Sequence, residues 1–263
     1  MSEATRTPTW PRQLAWLALV LSVGGALAAL AAAIGSANGL WPFGTGFSIL
    51  RYAFYAAMAG GVVAIVGLLL AWKADRQFVK WHLAALFVAA GFALYLLPQI
   101  STARKLPGIH DISTDLASPP EFATLAVRAD NLDNVPHDGR ADLAAMTPAD
   151  RWKALHREAY GDVRPLRTRA SAPLAYQTAE ALAEKRGWKV ARADQAETTI
   201  EATASTFFFR FKDDVVIRIR PAAGGSIVDM RSISRVGGSD VGVNAARIRS
   251  FLADLDSELK SAG

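Results

Sequence analysis

Three long apolar segments in the first hundred residues restrict most strongly what this chain can fold into. They cover about 14–34, 52–72 and 83–97, and none contains an acidic or basic side chain. A helix of about 20 apolar residues crosses the roughly 30 Å hydrocarbon core of a bilayer. The sequence therefore predicts an α-helical three-span membrane anchor, in contact with the lipid bilayer, within residues 1–105.

Charged residues between the segments predict the orientation of the anchor. Arg6 and Arg12 precede the first segment, and Lys73, Arg76 and Lys80 lie in the second connection, whereas the first connection carries no charge. Basic residues favour the cytoplasmic side. We therefore expect a multi-pass inner-membrane protein with a cytoplasmic N-terminus and a periplasmic, or otherwise extracytoplasmic, C-terminal domain.

The charge balance excludes some classes of partner for the rest of the chain. Residues 1–105 have a net charge of +6, and residues 106–263 have a net charge of −1. A nucleic-acid-binding domain needs a basic surface that displaces counterions, so we predict no nucleic-acid partner. The chain has no cysteine, which excludes disulfides, thiolate catalysis and cysteine-ligated metals.

Small residues recur at four-residue spacing in the first two segments. This spacing lets helix backbones approach closely, either within one bundle or between copies of the chain. Packing within the three-helix bundle is the favoured interpretation, and a homo-oligomer is the alternative. The residues are Gly24, Ala28 and Ala32 in the first segment, and Ala53, Ala57 and Gly61 in the second.

Residues 106–263 have the pattern of a single α+β domain. Thr147 followed by Pro148 predicts a helix that runs to Tyr160, and a second helix is predicted over 173–186. A last helix follows from apolar residues at helical spacing after Asp240. Four strands are predicted over 188–192, 198–209, 214–220 and 226–234. We expect an antiparallel sheet packed by helices on one face.

Three motifs in this domain resemble a known family. They are Ile109 to Asp115 with the following Pro119-Pro120, then Phe211 to Arg218, and then the run from Asp229 to Asn244. In this order they resemble the domain-of-unknown-function family 1499 over about residues 106–255. The resemblance implies a domain of the kind found in bacterial envelope proteins. It implies no established activity.

Arginines on the last two strands form the candidate ligand site. Arg218, Arg220 and Arg231 share a predicted sheet face with Asp229, and this face could bind an anionic ligand such as a lipid headgroup. The alternative is a face of cross-strand ion pairs. Glycines lead into the last helix beside Arg235 and Ser239, which could hold an anion or form an ordinary turn and helix cap.

A second cluster, His110, Asp111 and Asp115, is the candidate metal or acid–base site. Imidazole and carboxylate groups can share a cation, but the same residues can also stabilise a structured loop through hydrogen bonds to backbone. The sequence contains neither a Gly-x-Ser-x-Gly elbow nor a His-Glu-x-x-His motif. We therefore predict no catalytic residues and no cofactor.

Three hypotheses of function follow from these patterns. The first is a non-catalytic extracytoplasmic domain, presented by the anchor, that binds an envelope protein or an anionic ligand. The second is a membrane-tethered hydrolase or metal-dependent enzyme that uses His110, Asp111 and Asp115. The third is a purely structural role in the envelope.

Overall fold

The computed structural model describes residues 9–133 and 135–262. Arg6, one of the residues that predict orientation, lies outside them. The chain divides into two compact units. The first runs to Ser101 and takes in residues 208–210, and the second holds Thr102–Phe207 and the chain from Phe211 onward.

The first unit consists of three long helices. They are α1 (Trp10–Ala37), α2 (Phe43–Ala74) and α3 (Val79–Lys105), with a 3-10 turn at Arg76–Phe78 between the last two. All three are long and apolar enough to cross a membrane. Each extends beyond the span predicted from its apolar residues, because a helix continues into polar flanking sequence wherever its backbone hydrogen bonds are still satisfied. The prediction of three apolar helices is confirmed.

The surface of these helices is apolar. Leu27, Leu69 and Phe87 are 60%, 68% and 81% exposed. So much exposed apolar surface is unfavourable in water and compatible with contact with a bilayer. Between α1 and α2 the backbones approach at Gly25, where an added Cβ would lie 2.6 Å from the carbonyl oxygen of Ala53. The contact stripe on α1 therefore contains Gly25, one residue after the Gly24 of the predicted pattern.

The second unit is an α+β domain, as predicted. Its helices are α4 (Ala141–Ala144), α5 (Pro148–Tyr160), α6 (Ala172–Lys185) and α7 (Val243–Ala262). Its strands are β1 (Asp111–Ser113), β2 (Leu166–Thr168), β3 (Lys189–Asp194), β4 (Thr199–Ser205), β5 (Lys212–Ala222) and β6 (Gly225–Ser234).

The six strands form one antiparallel sheet. The order is β1-β6-β5-β4-β3, and β2 also pairs with β6. The two short strands pair with different parts of β6, β1 with residues 231–233 and β2 with residues 226–228. The long hairpin of β5 and β6 is therefore the centre of the sheet, and its register places Arg218 opposite Asp229.

One face of the sheet packs on helices. Val215, Ile217 and Ile219 alternate along β5 and are buried in a core shared with α5, α6 and α7. This is the face that the two-residue periodicity predicts. Thr147 caps α5 as predicted, because its side chain accepts a hydrogen bond from the amide of Asp150.

The opposite face is covered by residues 114–131, here called the strap. The carboxylate of Glu201 on β4 is fully buried and accepts hydrogen bonds from the amides of Ala123, Thr124 and Leu125 at 2.7–3.1 Å. A carboxylate that accepts several amide protons holds an irregular segment in place, as backbone hydrogen bonds hold a helix or strand. The strap therefore covers part of the arginine-bearing face, leaving the side chain of Arg231 13% exposed and that of Arg220 48% exposed.

Two details of the predicted strands are wrong. The strand predicted over 198–209 ends at Ser205, and the chain turns before β5 begins at Lys212. The first of the four predicted strands begins at residue 188, yet the structure has β1 and β2 before it. Both differences reflect pairing: β4 extends only as far as it has partners on β3 and β5, and β1 forms because β6 offers an edge.

Candidate functional site

Arg218 and Arg220 are held by carboxylates, with side chains 23% and 48% exposed. Arg220 donates to Asp229 Oδ2 from Nε and Nη2 at 3.0 and 2.7 Å. Arg218 donates to Asp229 and Asp115, both at 3.2 Å, and to the carbonyl oxygen of Ser118 at 2.9 Å. Two arginines thus face two aspartates, one of them, Asp229, fully buried. The arrangement is a balanced ion-pair cluster.

Arg231 belongs to a second buried pair. Its Nε and Nη2 donate to the two carboxylate oxygens of Asp111 at 3.0 and 2.7 Å, and its Nη1 donates to the carbonyl of Pro120 at 3.2 Å. Asp111 is 1% exposed. The predicted arginine face is therefore occupied by cross-strand and strap ion pairs, the alternative that the sequence left open.

Arg235 is more accessible than the buried Arg231. It follows β6, and its guanidinium donates to both oxygens of Asp214 at 2.8 and 2.9 Å. These hydrogen bonds raise the pKa of Arg235. Its side chain remains 42% exposed. Ser239 lies further on, where its Oγ accepts a hydrogen bond from the amide of Val241 at 3.2 Å, as expected of a turn residue.

Arg235 lines a cavity of about 230 Å³ between the strap and the end of the sheet, here called the arginine cavity. A second arginine, Arg128 of the strap, lines it too. Apolar side chains form most of the wall. The lining residues are Phe122, Ala126, Val127, Arg128, Asp214, Ile233, Ser234 and Arg235.

Arg128 also lines a neighbouring cavity of about 140 Å³, here called the histidine cavity. Its guanidinium donates to both oxygens of Asp130 and to the carbonyl of Gly237, at 2.6–2.7 Å. These hydrogen bonds lower the pKa of Asp130. The lining residues are Gly108, Ile109, His110, Asp111, Arg128, Asp130, Asn131, Val135, Trp152 and Gly238.

The residues of the candidate metal site separate into two environments. His110 and Asp111 are joined through Asn131, whose side chain contacts both. Asp115 instead accepts hydrogen bonds from the amides of Ala117 and Ser118 and pairs with Arg218. Over residues 9–133 and 135–262, no group of three or more His, Asp or Glu side chains is arranged to hold a metal ion. The metal site stays a prediction.

Several residues at or next to these cavities were not among the predicted site residues. Asn131 and Arg128 lie in the irregular strap, and Asn244 lies in the first turn of α7. Asn244 is fully buried and donates to the carbonyl of His110 at 2.9 Å and to Ser234 Oγ at 3.0 Å. It thereby ties α7 to the segment that carries His110. These contacts join parts of the chain that are remote in sequence, so periodicity and spacing could not reveal them.

Comparisons with known proteins agree with this domain. A family model described as "Protein of unknown function (DUF1499)" matches residues 111–255, which is more than half of the chain. No curated protein matches the chain. The matched region starts at β1, includes the strap and the arginine cavity, and ends within α7. Gly108, Ile109 and His110 of the histidine cavity precede it.

Proposed function

The chain therefore belongs to the DUF1499 family of proteins of unknown function, and on that premise we propose that it is a non-catalytic, multi-pass membrane protein whose second unit binds an anionic ligand or envelope partner outside the cytoplasm. The orientation is supported by the basic residues at the start of the chain and in the second connection, because such residues favour the cytoplasmic side. Three crossings then leave the second unit on the far side.

The arginine cavity is the observation that carries the binding proposal. Of the arginines singled out by the sequence, Arg235 both lines a cavity and keeps much of its surface accessible. Arg128 adds a second guanidinium to the same wall, while Asp214 is the carboxylate among the lining residues. Guanidinium groups recognise phosphate and carboxylate oxygens through paired N–H donors.

The apolar residues that line the arginine cavity indicate which class of ligand it can bind. Phe122, Val127 and Ile233 give the cavity an apolar surface beside its guanidinium groups. A ligand site of this kind binds an apolar body and orients it through few polar contacts. We infer an amphiphilic anion, with a phosphate or carboxylate at the arginines and an apolar part against the phenylalanine.

A binding experiment tests this ligand class. The full chain in phosphatidylcholine nanodiscs is titrated with inorganic phosphate and with a short-chain phosphatidylglycerol. We expect the lipid to raise the unfolding temperature of the second unit more than phosphate does, since ligands that bind the native state stabilise it. Arg235→Gln should weaken lipid binding about tenfold, because it removes one charged contact.

A matched control is Arg167→Gln, which removes an exposed arginine on β2. It should bind as the unchanged protein does. Wild-type protein that binds neither probe would contradict the proposal. Replacing Arg218, Arg220 and Arg231 together is a poor test, because it would leave the buried carboxylates of Asp111 and Asp229 without their partners.

A topology experiment tests the orientation separately. A phosphatase active only in the periplasm and a protein fluorescent only in the cytoplasm are each fused after Gly263. Phosphatase activity without fluorescence is the expected result. Fluorescence without phosphatase activity would place the second unit in the cytoplasm and contradict the proposed envelope role.

A further inference from the structure

His110 is held in the wall of the histidine cavity by a chain of buried side chains. It is 8% exposed, and its Nε2 lies 3.2 Å from Asn131 Oδ1. Asn131 Nδ2 in turn donates to Asp111 Oδ2 at 2.6 Å. The carbonyl of His110 accepts from Asn244. The imidazole ring is therefore fixed through both its side chain and its backbone.

This chain of contacts determines which ring nitrogen carries the proton. A carboxylate only accepts hydrogen bonds, so the amide nitrogen of Asn131 must face Asp111 and its oxygen must face the ring. His110 Nε2 must then donate to that oxygen. In a neutral imidazole the other nitrogen, Nδ1, is left as a hydrogen-bond acceptor. No residue in the described part of the chain donates to it.

The rest of the wall determines what could donate to Nδ1. Asp130 offers a carboxylate that is 47% exposed, and it already balances the charge of Arg128. The histidine cavity therefore has no excess positive charge to attract an anion. Its accessible polar groups are mainly acceptors, and Trp152 and Val135 add apolar surface.

We propose that the histidine cavity binds a small uncharged polyhydroxyl ligand, a polyol or a single sugar residue. One hydroxyl donates to His110 Nδ1, a second donates to Asp130, and the carbon skeleton lies against Trp152. The volume of about 140 Å³ equals roughly five water molecules at about 30 Å³ each, enough for a three-carbon polyol or for one edge of a longer polyol or sugar residue. This site goes beyond the proposed anion binding and does not rest on it.

The test uses the full chain in phosphatidylcholine nanodiscs and three uncharged probes: glycerol, ribitol and N-acetylglucosamine. Saturation-transfer NMR measures their contact with the protein. We expect transfer to at least one probe, and about tenfold weaker binding in Asp130→Ala, which removes an accessible acceptor. His110→Phe keeps a ring of similar size and should abolish binding. His137→Phe, at an exposed histidine of the same region, should change nothing.

A second measurement reads the tautomer directly. In protein with ¹⁵N-labelled histidine, at an alkaline pH where imidazole is neutral, His110 should carry its proton on Nε2. A proton on Nδ1 would overturn the proposal, and so would the absence of transfer to all three probes. Equal transfer in wild type and Asp130→Ala would overturn it as well, even if His110→Phe fails to fold. Because the probes are uncharged, loss of anion binding at Arg235 leaves these results unaffected.

Discussion

The guanidinium of Arg231 donates to both carboxylate oxygens of Asp111, at 3.0 and 2.7 Å, with the side chains 13% and 1% exposed. Arg231→Met would leave the carboxylate of Asp111 buried without its charged partner. Removing one member of a buried ion pair costs about 3–5 kcal/mol in the free energy of unfolding. Urea unfolding of the full chain in detergent, followed by the fluorescence of the second unit, measures this loss.

The exposed pair of Arg249 and Asp162 is the control, with side chains 42% and 62% exposed. Arg249→Met should cost less than about 1 kcal/mol, since exposed ion pairs contribute little. The double substitution Arg231→Met with Asp111→Leu should recover much of the loss, because no unpaired charge remains. If Arg231→Met costs no more than Arg249→Met, the buried pair does not hold β1 on the sheet.

Glu201→Gln should loosen the strap. The buried carboxylate accepts the amide protons of Ala123, Thr124 and Leu125, and a glutamine offers one acceptor oxygen and no charge. Hydrogen bonds to a charged group are each worth about 1.5–3 kcal/mol, so we expect a loss of about 2 kcal/mol or more. Amide hydrogen exchange measured by mass spectrometry should be faster in the strap and unchanged in α6.

The matched control for the strap is Glu197→Gln. Glu197 precedes β4 and its side chain is 65% exposed in its pair with Arg192. Its replacement should leave exchange in the strap as it is in the unchanged protein. Equal exchange in Glu201→Gln and wild type would mean that the strap is held by contacts other than this carboxylate.

The parts of the fold that local sequence predicts are those whose cause is local. The alternation of β5 and the Thr147 cap of α5 each depend on residues within a few positions, and both are confirmed. β1 is different: its three residues join the sheet because β6 has an unpaired edge, and no signal within Asp111–Ser113 reports that edge.

The candidate site likewise contains some pairings that local sequence predicts and others that depend on tertiary structure. Asp229 lies close to Arg218 and Arg220 in sequence, and the hairpin register makes their pairing predictable. Asp111 lies 120 positions from Arg231, so their pairing depends on tertiary structure. The sequence could therefore identify the arginines of this face, but it left open whether they pair within the domain or bind a ligand.

His156 should make the stability of the second unit depend on pH. Its ring is 1% exposed between Trp152 and Tyr160, and burial lowers its pKa from 6.5 to about 4. Nε2 accepts the amide proton of Ser113, which also favours the neutral ring. The unfolded chain binds a proton near pH 6.5 and the folded chain only near pH 4. The contribution of His156 to the free energy of unfolding is therefore fully present above pH 6.5. It falls by about 1.4 kcal/mol per pH unit as the pH decreases toward 4.

Urea unfolding between pH 7 and pH 4, at fixed ionic strength, measures this slope in wild type and His156→Gln. Glutamine can still accept from Ser113 but does not titrate, so the part of the slope that comes from His156 should disappear. Asp240 acts in the opposite direction, because burial raises its pKa and protonation then favours the folded state. Its contribution remains in both proteins and cancels in the difference. Identical slopes would contradict the assignment to His156.

Gly25 and Gly24 should respond very differently to the same substitution. A Cβ at Gly25 would lie 2.6 Å from the carbonyl oxygen of Ala53 and 2.9 Å from the amide nitrogen of Ala57, whereas a Cβ at Gly24 would meet nothing within 4 Å. Gly25→Leu should force α1 away from α2, at a cost of about 1–3 kcal/mol for overpacking. Gly24→Leu should add a side chain to the outer surface at little cost.

Thermal unfolding of the two variants in detergent, followed by circular dichroism, compares them directly, and we expect a lower midpoint only for Gly25→Leu. Light scattering on the same samples reports the number of chains in each particle. Gly24 itself is exposed, so a self-associating chain could use the surface at this position for close helix packing. Gly24→Leu could dissociate an oligomer while leaving the unfolding midpoint of the monomer unchanged. The four-residue spacing that includes Gly24 would then serve contact between copies of the chain. In that case the favoured interpretation, packing within one bundle, is wrong for α1.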